Sequence, residues 1–156
     1  MGYTTEFEGR IELDKPLTEE LFTFLIKFNH TRRMKRNPEK LKEMGFTGDF
    51  GVEGELFVDG DEPFGQGPDD SILDYNQPPR TQPGLWCQWV PTEDRNGIEW
   101  DGNEKFYHAG EWMLYLIDHI LKPAGYVANG VIHAQGEFDD DAWDLCVMDN
   151  VVFVNC

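Results

Sequence analysis

The stretch from Asp74 to Asp101, DYNQPPRTQPGLWCQWVPTEDRNGIEWD, constrains the fold most. It holds three of the five tryptophans (Trp86, Trp89 and Trp100) and four of the nine prolines (Pro78, Pro79, Pro83 and Pro91). Prolines at this density exclude a helix. Tryptophans need a large partner surface or they remain exposed at a cost. The segment therefore predicts a rigid aromatic platform of strands and turns. Leu85 to Val90 alternates as a strand with a tryptophan on each face. Asp94-Arg95-Asn96-Gly97 predicts a tight turn, with Asn-Gly taking positive φ at both turn positions. Ile98-Glu99-Trp100 is the return strand.

The flanking sequence supplies two helices and further strands. Tyr3 to Leu13 alternates, with Phe7, Gly9, Ile11 and Leu13 on one face and Glu6, Glu8, Arg10 and Glu12 on the other. Thr18 is an N-cap, followed by Glu19 and Glu20 where the helix dipole favours acids. Leu21, Phe24, Leu25 and Phe28 then recur at helical spacing. Asn37-Pro38 breaks this helix, and a short turn follows at 39–44. Phe50 to Val58 predicts a short strand, and residues 59–70 an exposed loop. A second helix is expected from Glu104 to Leu121, capped by Asp101 or Asn103. Its core face is Phe106, Ala109, Met113, Leu116, Ile117 and Ile120; its outer face is His108, Glu111, Tyr115, Asp118 and His119. Asn129-Gly130 predicts a second hairpin turn. Residues 143–148 and 151–154 supply one broken strand or two short ones around Asp149-Asn150. The order predicts a single α+β domain over residues 1–156, a mainly antiparallel sheet with two helices on one face.

Charge narrows the partners. The net charge is −17, yet residues 27–42 hold seven of the thirteen basic residues and one acid, Glu39. A field of that sign disfavours direct nucleic-acid binding and favours basic protein partners. No apolar run approaches the length of a membrane span. The N-terminal MGYTTEFEGR has no basic region followed by an apolar run. A soluble cytoplasmic protein with no membrane partner is the expectation. Cys87, Cys146 and Cys156 are odd in number and lack CxxC spacing, so reduced thiols are expected, with Cys87 and Cys146 packed in the core.

Several words of the chain resemble a family of small acidic uncharacterised proteins of bacteria and bacteriophages with no assigned activity. They are YTTEFEGRIEL, TRRMKR, DYNQPP, TQPGLWCQWVPTED, IEWDGNEKFYH, EWMLYLI and the closing QGE and DN-V. The resemblance implies a small domain and carries over no reaction and no catalytic residue.

Three chemistries remain to weigh. Arg32, Arg33, Lys35 and Arg36 form a compact basic patch that either docks on the chain's own acidic loops or grips an anion. Guanidinium forks bind phosphate and carboxylate bidentately, and Tyr75, Trp86 or Trp89 would stack a nucleobase. Among Asp74, Glu93, Asp94, Glu99 and Asp101, Glu99 lies between two apolar residues and is the best general acid or base. No nucleophile–base pair is readable, so no catalytic residue is assigned. No metal or other cofactor is expected: His108 and His119 lie about 16 Å apart on a helix, and the aspartate runs lack EF-hand spacing.

The sequence thus points to a non-enzymatic acidic binding protein for a basic protein partner, in the manner of a phage-type anti-defence inhibitor or nucleic-acid mimic. Its candidate binding residues are Arg32, Arg33, Lys35, Arg36, Asp74, Tyr75, Asn76, Trp86, Trp89, Glu99, Trp100 and Asp101. One alternative is a small anionic, nucleotide-like ligand on the arginines and tryptophans. The other is a small hydrolase or transferase using Glu99 or Asp101.

Overall fold

The computed structural model describes residues 4–58 and 68–156. Most of the loop expected at 59–70, and Tyr3 of the first strand, lie outside them. Element by element, the chain forms β1 (Glu6–Leu13), α1 (Glu19–His30), β2 (Lys35–Arg36), α2 (Pro38–Glu43) and a 3₁₀ turn (Val52–Gly54). It continues with β3 (Ile72–Asp74), β4 (Trp89–Pro91), β5 (Gly97–Trp100), α3 (Ala109–Leu116), a π-helical turn (Ile117–Leu121), β6 (Ala128–Gln135), β7 (Ala142–Met148) and β8 (Val151–Val154). The fold is α+β, with a six-stranded antiparallel sheet in the order β4-β5-β1-β6-β7-β8. Contacts divide the chain into two compact units, Met1–Thr23 with Gln88–Cys156, and Phe24–Cys87.

The first unit contains the six-stranded sheet. Residues directly opposite in neighbouring strands point to the same face, so the register assigns the two faces. One face carries Phe7, Ala134 and Trp143 in one row, and Ile132, Leu145 and Val154 in another. Ile11 and Ile98 extend it. Phe7, Ile11, Ile98, Ile132, Ala134 and Leu145 are all buried. Helix α3 lies on this side. The indole N–H of Trp89 donates to the Ala109 carbonyl at 2.9 Å. The whole expected core face of the second helix (Phe106, Ala109, Met113, Leu116, Ile117, Ile120) is buried.

Two glycines allow the strands to approach. Gly9 and Gly130 have φ of +105° and +150°, and a Cβ on either would stand 2.8 Å from a carbonyl oxygen of the facing strand. That explains why Asn129-Gly130 is not the expected turn. It lies inside β6, which runs unbroken between β1 and β7. The tight turn falls instead at Asp149-Asn150, both in the left-handed conformation (φ 47° and 71°). The Asn150 side chain secures it by accepting the Ala128 N–H at 2.7 Å and donating to the Tyr126 carbonyl at 3.0 Å.

The second helix starts five residues later than its apolar periodicity suggests. The Asp101 carboxylate accepts the Asn103 N–H at 2.8 Å, forming a turn that competes with helix. Lys105 and His108 are left-handed. Tyr115, expected on the outer face, is buried. Its ring stacks on His119 with centroids 4.2 Å apart. In α1 the Thr18 hydroxyl accepts the Leu21 N–H at 3.2 Å, as the N-cap reading requires.

In the second unit, Asn37-Pro38 does not end the first helix, which stops at His30; it begins a second one. The Asn37 carboxamide oxygen accepts the N–H groups of Glu39 and Lys40, and Pro38 occupies the first turn, where its missing N–H costs nothing. Leu41, Phe50 and Phe57 form a local core. The strand expected at 50–58 is absent: Gly51, Glu53 and Gly54 have positive φ, which an extended strand does not accommodate. The segment folds into the 3₁₀ turn, closed by the Glu55 carboxylate on the Val52 N–H at 2.7 Å.

The expectation of three reduced cysteines is corrected. Cys146 and Cys156 form a disulfide, and Cys87 is a buried thiol. Left-handed Asn155 turns the chain after β8 back across β7, and the Cys156 N–H lies 3.2 Å from the Cys146 sulfur. A separation of ten residues with no motif gave no hint of this pairing.

Candidate functional site

The second face of the six-stranded sheet is open to solvent over much of its extent. Its rows follow from the register. Glu8, His133 and Asp144 form one; Arg10, Val131, Cys146 and Phe153 form the next; Glu12 with Asn129, and Met148 with Val151, complete it. Glu99 joins from β5, one residue out of phase with buried Ile98. The face is graded. Its β6–β8 end carries exposed apolar side chains beside the polar His133–Asp144 pair: Val131 is 49% exposed, Met148 and Val151 62% each, and Phe153 36%. Its β1–β5 end is acidic, with Glu6, Glu8 and Glu12 all exposed.

Arg10 is the one base on that β1 face, and its charge is spent locally. Its guanidinium fork meets Asp94 through two contacts of 3.1 Å, and its Nε lies 2.7 Å from Glu12. Asp94 also accepts from the Thr92 hydroxyl at 2.5 Å and the Asn96 N–H at 2.9 Å. The Arg10 hydrogen bond, then those of Thr92 and Asn96, hold the Asp94 carboxyl well below the usual range. In turn Asp94 raises the pKa of Arg10. Here Arg95 takes the left-handed conformation rather than the Asn-Gly pair, and the Thr92 N–H donates to the Gly97 carbonyl at 2.9 Å.

The candidate residues named from sequence fall into the two units. Within the second unit, Arg33 and Arg36 are each 2% exposed. Arg33 donates to the carbonyls of Glu55 (3.0 Å) and Phe57 (2.6 Å), with its guanidinium 4.2 Å from the Phe28 ring centroid. Arg36 pairs with Asp69 at 3.1 Å, donates to the Ser71 hydroxyl at 2.8 Å, and lies over Phe57. Burial alone would raise the Asp69 pKa, but hydrogen bonds from the Ser71 hydroxyl and N–H and from Arg36 bring it below the ordinary value. Lys35 reaches Glu53 at 3.8 Å. Arg32 donates to the Tyr75 carbonyl at 3.3 Å and lies over the Tyr75 ring. Asp74 turns back on the Asn76 N–H at 2.9 Å. Trp86 is half-buried. The arginines thus bind the chain's own carbonyls, carboxylates and rings, which is the docking reading of the basic cluster.

Within the first unit, Trp89, expected as a surface anchor, is a core residue. It is 2% exposed, with edge contacts to Phe7 (5.3 Å) and Phe106 (5.0 Å). Its strand is shorter than expected, Trp89–Pro91 rather than 85–90, and pairs Trp89 with Trp100. Trp100 is half-buried, its ring edge-on to Phe7 and its N–H donating to the Asn103 carbonyl at 3.1 Å. Asp101 is committed to the Asn103 turn. Of the carboxylates, Glu99 alone is carried by β5 on the open face.

Two of the four histidines have acidic neighbours. His108 Nδ1 lies 2.7 Å from Glu111 and His133 Nδ1 2.8 Å from Asp144. Among the described residues no three His, Cys, Asp or Glu side chains cluster as a metal site. A hollow at the start of α1 is lined by Thr18, Glu19, Glu20 and Thr23; its two carboxylates oppose an anion at that helix terminus. The apolar residues of the open face escaped the sequence reading because a turn was expected at Asn129-Gly130. With β6 continuous, the alternation through 128–135 places Val131 and His133 on one side, and the face becomes legible.

Comparison with protein-family models, with curated proteins and with solved structures finds no match to this chain.

Proposed function

We propose that this protein is a small acidic, non-enzymatic binding protein that engages a basic protein partner. One observation carries the reading: the solvent-facing side of the sheet presents exposed Glu6 and Glu8 on β1, and the one interspersed base, Arg10, is held by Asp94 and Glu12, so the group stays net negative. Regularly spaced fixed charge of one sign steers an oppositely charged partner and selects against others. A phage-type inhibitor that imitates a phosphate backbone would use the same feature. The reading of an anionic ligand on the arginine cluster is disfavoured by the burial and internal partners of Arg33 and Arg36.

The test is a tagged pull-down at low salt from nuclease-treated bacterial lysate. The expected result is one stoichiometric basic protein, released by a salt step and lost when Glu6, Glu8 and Glu12 are replaced by glutamine. A partner retained at high salt, or a co-purifying small anion without a protein, would overturn the reading. Among the described residues no helix is long and apolar enough to cross a membrane.

A further inference from the structure

The apolar half of the same sheet face adds what charge alone lacks. Val131, Cys146 and Phe153 stand side by side across three strands, and Met148 faces Val151 beside the Asp149-Asn150 turn. Val131, Met148, Val151 and Phe153 are all exposed. Strand β8 is the last of the sheet, with no further strand beside it among the described residues. The Cys146–Cys156 disulfide ties the chain after β8 to β7 and fixes this corner. A contiguous apolar patch on an otherwise charged surface marks an interaction site.

We infer that this face docks an amphipathic basic segment of another protein, with its apolar side chains on Val131, Met148, Val151 and Phe153 and its lysines or arginines toward Glu6 and Glu8. The inference rests on the proposed binding reading and names its surface. Charge selects this occupant. From Phe153 on β8 through Cys146 and Val131 the row reaches Arg10 on β1, flanked on the same face by Glu8 and Glu12, so the face passes from apolar to net acidic across four strands. A second copy of the chain would itself carry a net charge of −17, and its association would strengthen with salt. A basic segment gains from both halves, and its association weakens with salt.

Three synthetic peptides test this on the full chain: an amphipathic lysine–leucine peptide, a scrambled peptide of the same composition, and oligolysine of equal charge. Binding is read by calorimetry at low and high salt, and amide shifts by NMR. The amphipathic peptide is expected to bind at least about tenfold tighter than either control. Its shifts should centre on Val131, Met148, Val151 and Phe153. Met148→Ser combined with Val151→Ser should abolish the advantage while leaving oligolysine binding intact; both side chains are mostly exposed, so folding is retained. If all three peptides bind alike, or the double variant changes nothing, the apolar half plays no part and the inference fails, while the acidic reading stands. If none binds even at low salt, both fail. A chain that self-associates through this face, more strongly in high salt and not in the double variant, would assign the patch to a second copy and overturn the inference.

Discussion

Trp89→Phe separates a tryptophan that builds the platform from one that displays it. The side chain is 2% exposed. Phenylalanine retains part of the edge packing on Phe7 and Phe106 but removes the N–H that donates to the Ala109 carbonyl at 2.9 Å. Losing a buried hydrogen-bond partner costs about 1–3 kcal/mol. The smaller ring leaves a void that adds roughly another 1 kcal/mol. The variant should therefore lose about 2–4 kcal/mol. In a chain of this size each kcal/mol moves the melting temperature by roughly 2–4 °C. Urea and thermal unfolding followed by far-ultraviolet circular dichroism read this without relying on tryptophan emission. Trp100→Phe is the control. Its N–H bond to Asn103 is exposed, so about 1 kcal/mol or less is expected. If Trp89→Phe unfolds like the parent while Trp100→Phe is the destabilised variant, the placement of Trp89 in the core is wrong.

Further expectations concern the register, the charges and the disulfide. Gly130→Ala places a Cβ 2.8 Å from the Arg10 carbonyl at φ +150° and should cost about 2 kcal/mol or more; a neutral effect in chemical unfolding contradicts the β1–β6 register. Asp94 and Asp69 have folded pKa values below their unfolded ones. The stability they contribute is present above the ordinary carboxylate range of about 4 and is lost as pH falls through the folded values. Asp94→Asn should flatten the acid limb of stability against pH, and an unchanged limb removes the Arg10–Asp94 fork from the account. Closing the ten-residue separation between Cys146 and Cys156 contributes up to about 3 kcal/mol in the chain-entropy view, so reduction should lower the urea midpoint. Thiol titration of the unfolded, unreduced protein should count one cysteine, Cys87; a count of three rules the disulfide out.

The antiparallel α+β plan was readable because alternation and helical spacing are local. Phe7, Ile11 and Leu13 follow directly from a period of two, and Ala109, Met113 and Leu116 from helical spacing. What escaped reading depends mostly on partners distant in sequence, and in one case on a local turn that competes with a helix. Asn129-Gly130 has the composition of a turn, yet its glycine serves to let β1 approach, which only the pairing reveals. Asp101 has the composition of a helix cap, yet it closes a turn on Asn103 and delays α3. Trp86 and Trp89 alternate as a strand should, but sequence alone does not say which tryptophan finds a core; the Ala109 carbonyl and the Phe7 and Phe106 rings decide for Trp89. The basic cluster was visible as charge. Its partners, the Glu55 and Phe57 carbonyls and Asp69, lie more than twenty residues away.

Site-specific photo-crosslinking in bacterial lysate tests the central claim most directly. A photoreactive residue at position 151 sits on the open face, and one at position 114 sits at an exposed position of the mostly buried helix α3 on the opposite side; Val151 is 62% and Leu114 44% exposed. The probe at 151 is expected to capture a basic protein at low salt and less at high salt, and the probe at 114 to capture none. Capture of the same protein from 114 but not from 151 would contradict the claim.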